Sequence, residues 1–159
     1  MSAANTEAEN AVSCWRGHCL NYFGRVESAV GNTLQAAVTV GKAEKLRHLA
    51  GQRLADLIAV VGDLGGTLRQ QAAFKAALSR WEEVEGKRQF LAHGVACVST
   101  TSNGDWVALF DLTIYRGNAA SSGRWAVKQT EAEQFLIDLA DAFKSLSGQL
   151  GHVRKRLEA

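Results

Sequence analysis

The spacing of apolar residues changes abruptly at Gly94. Before it, apolar side chains recur every three or four residues, which is the period of an amphipathic helix. After it they alternate with polar side chains, which is the period of a half-buried strand, and the helical spacing returns near Thr130. The 159 residues include no proline, the commonest helix breaker. We therefore predict three helices, a small antiparallel sheet and one final helix.

Glycines divide the helical part before Gly94 into three segments. The apolar stripes predict helices over about 7–40, 42–61 and 67–93, with a glycine-rich break at 62–66. Gly41 and Gly94 each follow the end of a stripe, where a left-handed glycine commonly closes a helix. The second helix would carry Lys42, Lys45 and His48 on its polar side.

A β-hairpin is predicted directly after the third helix. The dipeptide Asn103-Gly104 lies between the β-rich runs 95–101 and 106–115, which is a strong hairpin signal. A polar loop over 116–123 and a third antiparallel strand over 124–129 would follow. With a four-residue turn, the opposing pairs are Thr101 with Trp106, Cys97 with Phe110, and Val95 with Leu112.

The last helix is predicted to begin at a capping box formed by Thr130 and Glu133. An apolar stripe continues from there to the end of the sequence. The expected fold is mainly α, an antiparallel bundle of about four helices with a small antiparallel hairpin or three-stranded sheet inserted before the last helix. The length indicates one domain over 1–159, with the β insertion at 95–129.

The charge balance and the cysteine count exclude several classes of protein. Lys and Arg number 18 against 16 Asp and Glu, and the net charge of +2 is too small for a protein that coats polyanions. The cysteines are odd in number, three, and no two of them form a Cys-x-x-Cys pattern. Both facts argue against a disulfide framework and a zinc knuckle. We expect a cytoplasmic protein without a membrane partner, because no apolar run could cross a bilayer. The segment 62–67, which includes the glycine-rich break, lacks the lysine of a P-loop, so we predict no ATP or GTP binding there. We expect no cofactor.

The segment 88–94, Arg-Gln-Phe-Leu-Ala-His-Gly, is the most informative part of the sequence. Helical spacing puts Arg88 in the middle of the apolar stripe, where a charge needs a carboxylate, a partner chain or an anionic ligand. His93 follows five residues later, about 140° around and about 7.5 Å along an ideal helix. One copy of the helix therefore does not present both groups side by side, whereas two copies packed across a dimer axis could bring them into one cleft.

This Arg-x-x-x-x-His motif near the end of a helix in a small bundle, continued as Leu91-Ala92-His93-Gly94, resembles the HEPN superfamily. Many of its members are dimeric, metal-independent ribonucleases of toxin–antitoxin and antiviral systems, with the motif at the dimer interface. The resemblance implies that Arg88 and His93 form the active pair, and it raises the prospect of a cognate protein partner. Many members have Asn, Asp or His after the arginine, where this chain has Gln89, and the inserted sheet is an addition to the minimal bundle.

Two hypotheses for the motif follow. In the first, a homodimer formed through the motif helix binds or cleaves RNA without metal, with His93 transferring a proton and Arg88 contacting phosphate. In the second, the protein is a non-catalytic dimeric scaffold or partner-binding module. Arg88 would then pair with Glu85 or with another helix, and His93 would cap the negative end of its own helix.

Two groups of basic residues are weaker candidates for RNA contact. The first comprises Lys42, Lys45, Arg47 and His48 on the second helix, to which the motif adds Gln89. The second is the run 154–156, Arg-Lys-Arg, whose position also suits the negative end of a helix dipole.

A metal site near the start of the chain is the last candidate. Cys14 and His18 are four residues apart and share a helix face, but no fourth ligand is evident. We therefore predict no metal site, with Cys14 and Cys19 as small buried residues and His18 at the margin of the core.

Overall fold

The computed structural model describes residues 3–159 and confirms the predicted fold class. The protein is mainly α, with a three-stranded antiparallel sheet before the last helix. Its elements are α1 (Ala3–Thr39), α2 (Ala50–Leu64), α3 (Leu68–Glu85), α4 (Arg88–His93), β1 (Val95–Thr100), β2 (Trp106–Arg116), β3 (Ala119–Lys128) and α5 (Gln129–Glu158).

The segment 40–49 is a loop, so the predicted second helix over 42–61 is wrong in its first part. Gly41 closes α1 as predicted, with a φ of 72°. Beyond it, side chains bind the loop backbone in place of helical hydrogen bonds. Arg53 Nη1 donates to the main-chain oxygens of Arg47 at 3.1 Å and His48 at 2.5 Å. Lys42, Lys45 and His48 therefore lie in this loop and not on a helix face.

The predicted third helix is divided in two by a turn at Gly86 and Lys87. The main-chain nitrogen of Lys87 donates to the oxygen of Val84 at 3.2 Å, a tighter i→i+3 bond that ends α3. Glycine favours such a break because it costs about 1 kcal/mol relative to alanine inside a helix. The apolar stripe is consequently interrupted before Arg88, which is the first residue of α4 and only half-buried.

The β1–β2 hairpin has a register one residue away from the predicted one. Thr101 and Asp105 close a three-residue turn, since the Thr101 nitrogen donates to the Asp105 oxygen at 2.8 Å. Gly104, with a φ of 87°, occupies the left-handed position of that turn. The shorter turn moves every pair, and a one-residue shift exchanges the two faces of a strand. The observed pairs include Thr100 with Trp106, Cys97 with Leu109, Ala96 with Phe110 and Val95 with Asp111.

The third strand is longer than predicted. A two-residue turn at Gly117 and Asn118 joins β2 to β3, and Gly117 takes a φ of 58°. Pairing with β2 therefore begins at Ala119 and runs to Lys128. The segment 116–123, predicted as a loop, is low in strand-forming residues, and its hydrogen bonds to β2 override that weak preference.

Helix α5 begins earlier than the predicted capping box. Its first residue is Gln129, and the Glu131 carboxylate accepts a hydrogen bond from the main-chain nitrogen of Lys128 at 2.9 Å. Glu131 therefore fills the third helical position that the sequence analysis assigned to Glu133. A reciprocal capping box does occur at the start of α3, where Thr67 and Gln70 bind each other's main-chain nitrogens.

The chain divides into two compact units, each with its own apolar core. The sheet unit comprises Met1–Tyr22 and Val84–Ala140, and the helical unit comprises Phe23–Glu83 and Asp141–Ala159. The core of the sheet unit includes Trp15, Leu91, Trp106, Phe110, Val127 and Leu139. That of the helical unit includes Phe23, Leu34, Leu57, Trp81, Leu146 and Leu150. Across residues 3–159, none of the helices combines the length and the hydropathy that a bilayer span requires.

Candidate functional site

The predicted site residues Arg88, Gln89 and His93 all lie on α4, a six-residue helix that packs against β2 in the sheet unit. Leu91 is fully buried and fixes the inner side of the helix. Gln89 and His93 are exposed, and Arg88 is half-buried. Arg88 also takes part in an interaction within the protein. The helix therefore presents an imidazole to the surface from a firmly packed support.

The carbonyl end of α4 is bound by Arg16, a residue of α1 that the sequence analysis missed. Its Nε donates to the Leu91 oxygen at 2.5 Å, and its Nη2 donates to the Gly94 oxygen at 3.1 Å. The same guanidinium carbon lies 5.7 Å from the centroid of the Phe110 ring. A cation in this position compensates the negative end of the helix. Arg16 thus shares the role that the scaffold hypothesis assigned to His93, which itself lies in the last turn of α4.

Gly94 follows the motif because of a close approach and not because of a left-handed conformation. Its φ of −69° and ψ of 143° are extended values, so the predicted left-handed C-cap is wrong. A Cβ at this position would overlap the main-chain oxygen of Phe90. The Gly94 nitrogen donates to that same oxygen at 2.9 Å. Glycine thus allows the chain to pass directly from α4 into β1.

An aromatic cluster lies under the motif helix. Trp15 is at its centre and donates a hydrogen bond from Nε1 to the Ala132 oxygen at 2.8 Å. Trp125 stacks on Phe110 with ring centroids 5.6 Å apart and contacts Phe90 of α4 at 6.1 Å. Trp15 and Trp106 are both buried in the core of the sheet unit. The cluster consists of Trp15, Phe90, Trp106, Phe110, Trp125 and Phe135.

A shallow depression of about 500 Å³ opens beside α4, and we call it the Lys87 groove. The Lys87 ammonium lies 5.1 Å from the centroid of Trp125, and Phe135 forms another part of the wall. Both aromatic rings are half-exposed. Glu131 and Asp138 also line the groove, so its polar rim carries both signs of charge.

Arg88 and His93 are the first and last residues of α4. Ideal helix geometry separates them by about 7.5 Å along the axis and about 140° around it. A single α4 therefore does not direct both side chains at one phosphate. Two copies of the helix packed together could bring an Arg88 and a His93 into one cleft.

The residues predicted as weak RNA contacts are divided between the two units. Lys42 and Lys45 line a depression of the helical unit together with Glu44, Asp56 and Asp63. Arg47 makes a two-point ion pair with Asp56, in which both N–O distances are 2.7 Å, and this guanidinium holds the pKa of the carboxyl below its ordinary value. His48 lies in the same loop, whereas Gln89 belongs to the sheet unit.

The two arginines of the C-terminal run 154–156 bind different parts of the helical unit. Arg154 Nη1 donates to the hydroxyl oxygen of Thr33 at 2.9 Å. Arg156 Nη2 instead donates to the main-chain oxygens of Leu64 at 3.1 Å and Gly65 at 2.7 Å. Arg156 therefore compensates the negative end of α2, and with Lys155 it also lies in the last turn of its own helix, as predicted.

The cysteines at the start of the chain differ in their surroundings. Cys14 and His18 are both exposed, with the sulfur 3.8 Å from Nε2, so the predicted burial of Cys14 is wrong. Cys19 is buried as predicted, and burial raises the pKa of its thiol to about 12. Among residues 3–159, no three or more His, Cys, Asp or Glu side chains form a group that could hold a metal ion.

Comparison with protein-family models, with curated protein sequences and with solved structures finds no match to this chain. The candidate site is the surface around α4. It offers an exposed imidazole on an anchored helix and a half-buried guanidinium at the other end of that helix. Together, in a paired arrangement, these groups could transfer a proton and bind an anion.

Proposed function

We propose that this is a HEPN-like cytoplasmic protein that forms a homodimer through α4 and binds or cleaves RNA without a metal ion. The observation that supports the proposal best is the exposed His93 on a helix held by Arg16 and by the buried Leu91. A catalytic side chain must keep its position to within a fraction of an ångström, and such a support limits its movement.

The reaction needs only groups that the motif supplies. An imidazole accepts the proton of a ribose 2′-hydroxyl, and the resulting oxygen attacks the adjacent phosphorus. The bond from phosphorus to the 5′-oxygen breaks, and an imidazolium returns a proton to that leaving oxygen. A guanidinium stabilises the charge that develops on the phosphoryl oxygens. His93 is suited to the first two steps and Arg88 to the third.

The position of the two residues on α4 supports a dimer. Since one helix does not direct both at the same phosphate, the Arg88 of one copy would act with the His93 of the other. An antiparallel pair of α4 helices about a twofold axis brings the first residue of each close to the last residue of its partner.

A non-catalytic partner-binding module is the second candidate, and the Lys87 groove favours it. Aromatic rings are enriched at surfaces that bind proteins, and the lysine and two carboxylates of the groove fit the polar rim of such a surface. In that case α4 would serve as a rigid wall of the binding surface, and a cognate protein would occupy the groove.

The experiment that separates the two candidates is incubation of the purified protein with bulk cellular RNA in the presence of EDTA. We expect cleavage by the wild type and by the control His18→Ala, whose imidazole is also exposed in the sheet unit. His93→Ala should abolish cleavage without changing the melting temperature or the dimer mass measured by light scattering. Absence of cleavage by the wild-type dimer would contradict the enzyme and favour the partner-binding module.

A further inference from the structure

The helical unit contains a cavity of about 470 Å³ where the end of α2, the start of α3 and the last turns of α5 meet. Three cationic side chains line it, Arg69 from α3 and Lys155 and Arg156 from α5. His152 adds an imidazole. The size lies within the range of pockets that hold small ligands.

The cavity is lined by positive charge and by no carboxylate. None of its lining residues is acidic, whereas the depression around Lys42 contains three carboxylates. Within residues 3–159, neither Arg69 nor Lys155 forms an ion pair, and both are exposed. Neighbouring like charges repel each other, so an anion that entered the cavity would relieve that repulsion as well as bind.

Arg156 is held in place before any ligand arrives. Its Nη2 donates to the main-chain oxygens of Leu64 and Gly65 at the end of α2. A guanidinium has five N–H donors, so the remaining ones can serve a ligand. Gly66, with a φ of 114°, leaves room for this arrangement, because a Cβ there would lie 2.9 Å from Arg156 Nη2. A fixed guanidinium loses little entropy on binding an oxyanion, which favours affinity.

The rest of the cavity suits an organic group attached to that anion. Phe74 and Val153 are buried and supply an apolar floor. Gln149 is half-buried and adds an amide that can both donate and accept hydrogen bonds. An inorganic ion alone would use the cations and leave this floor uncovered.

We propose that this cavity binds a small phosphate monoester, with the phosphate held by Arg69, Lys155 and Arg156 and the organic part on Phe74 and Val153. The proposal goes beyond the function proposed above, because it uses neither Arg88 nor His93. Either proposal can therefore fail without the other.

The test is a titration followed by two-dimensional ¹H–¹⁵N NMR, with inorganic phosphate, glycerol 3-phosphate and adenosine 5′-monophosphate as separate probes. We expect saturable shifts of the amides of Gly65, Gln70 and Gln71, with a dissociation constant below about 1 mM for at least one ester. Binding of the esters but not of inorganic phosphate would show that the apolar floor contributes.

A pair of double variants supplies the matched control. Arg69→Gln with Lys155→Gln removes two cavity cations, and the affinity should fall by about tenfold or more. Arg80→Gln with Lys144→Gln removes one arginine from α3 and one lysine from α5 outside the cavity, and the affinity should stay within about twofold of the wild type.

Three results would overturn the proposal. The first is the absence of saturable shifts at these amides with any of the three probes. The second is an equal loss of affinity in both double variants, which would indicate a general effect of charge. The third is saturable binding of an oligoribonucleotide at these amides without binding of any monoester, which would assign the cavity to RNA.

Discussion

The guanidinium of Arg16 donates a hydrogen bond to the main-chain oxygen of Leu91, 75 residues further along the chain. An isolated helix of six residues is unstable in water, so α4 depends on such tertiary contacts. Arg16 also reaches the oxygen of Gly94, and it therefore fixes both the end of α4 and the start of the turn into β1. The position of His93, between those two residues, is set by a side chain of α1.

Replacement of Arg16 by methionine should loosen α4 more than it unfolds the protein. The change keeps an apolar stem but removes the donors to Leu91 and Gly94, and we expect a loss of about 1–3 kcal/mol. Hydrogen exchange of the α4 amides should accelerate, and any RNA cleavage should fall. Arg80→Met, on an exposed position of α3, is the control and should change neither quantity. Unchanged exchange in Arg16→Met would contradict the role assigned to Arg16.

Substitutions of Trp15 should separate its packing from its hydrogen bond. Trp15→Ala removes a buried ring from the aromatic cluster and should destabilise the protein by about 3–5 kcal/mol. Trp15→Phe keeps a ring but loses the donor to the Ala132 oxygen, and we expect a smaller loss of about 1–3 kcal/mol. Chemical denaturation measures both values. Tyr115→Ala, at a side chain that is 78 % exposed, should cost less than about 0.5 kcal/mol.

Alanine at Gly94 should be destabilising, and alanine at Gly24 should not. The φ of Gly94 is acceptable for alanine, so the cost arises from the contact of the new Cβ with the Phe90 oxygen. We expect a loss of about 1–3 kcal/mol. Gly24 lies inside α1 with open space around it, and Gly24→Ala should stabilise the protein by about 0.5–1 kcal/mol. Equal melting temperatures for the two variants would refute the close approach at Gly94.

The three cysteines should react in two classes. Cys14 and Cys97 are exposed and should react with a thiol reagent in the native protein, whereas Cys19 should react only after denaturation. The raised pKa of Cys19 has a further consequence, because the unfolded thiol ionises near its ordinary value of 9.0 and the folded one near about 12. The stabilisation from the neutral thiol is complete below pH 9 and is lost as the pH rises towards 12. Cys19→Ala should remove this part of the alkaline destabilisation.

Much of the fold could be predicted because its elements are long and strongly periodic. Helix α1, the hairpin at Asn103-Gly104 and helix α5 all follow from local patterns. The loop over 40–49 could not be predicted in the same way, since the apolar spacing continues through it. What holds it is Arg53 binding two main-chain oxygens, and no local sequence pattern marks that contact.

The hairpin register and the contacts that hold α4 could not be predicted from local sequence patterns either. One residue more or less in the turn after Thr100 decides whether Cys97 or Ala96 opposes Phe110, and both turns suit an Asn-Gly pair. The residues Arg88 and His93 could be selected from their motif. Arg16 could not, because its partners are main-chain oxygens of a segment far away in the sequence.

The aromatic cluster gives the protein an internal optical reporter. Three of the protein's four tryptophans belong to the sheet unit. The ring centroid of Trp15 lies 5.9 Å from that of Trp106 and 6.0 Å from that of Trp125. Indole rings at such distances couple electronically, so their near-ultraviolet circular dichroism depends on their mutual orientation. Trp81, the fourth, contacts Phe23 in the helical unit. Circular dichroism at these wavelengths is thus weighted towards the sheet unit, which carries α4. In a Trp81→Phe variant, the remaining indole signal would come from the sheet unit alone.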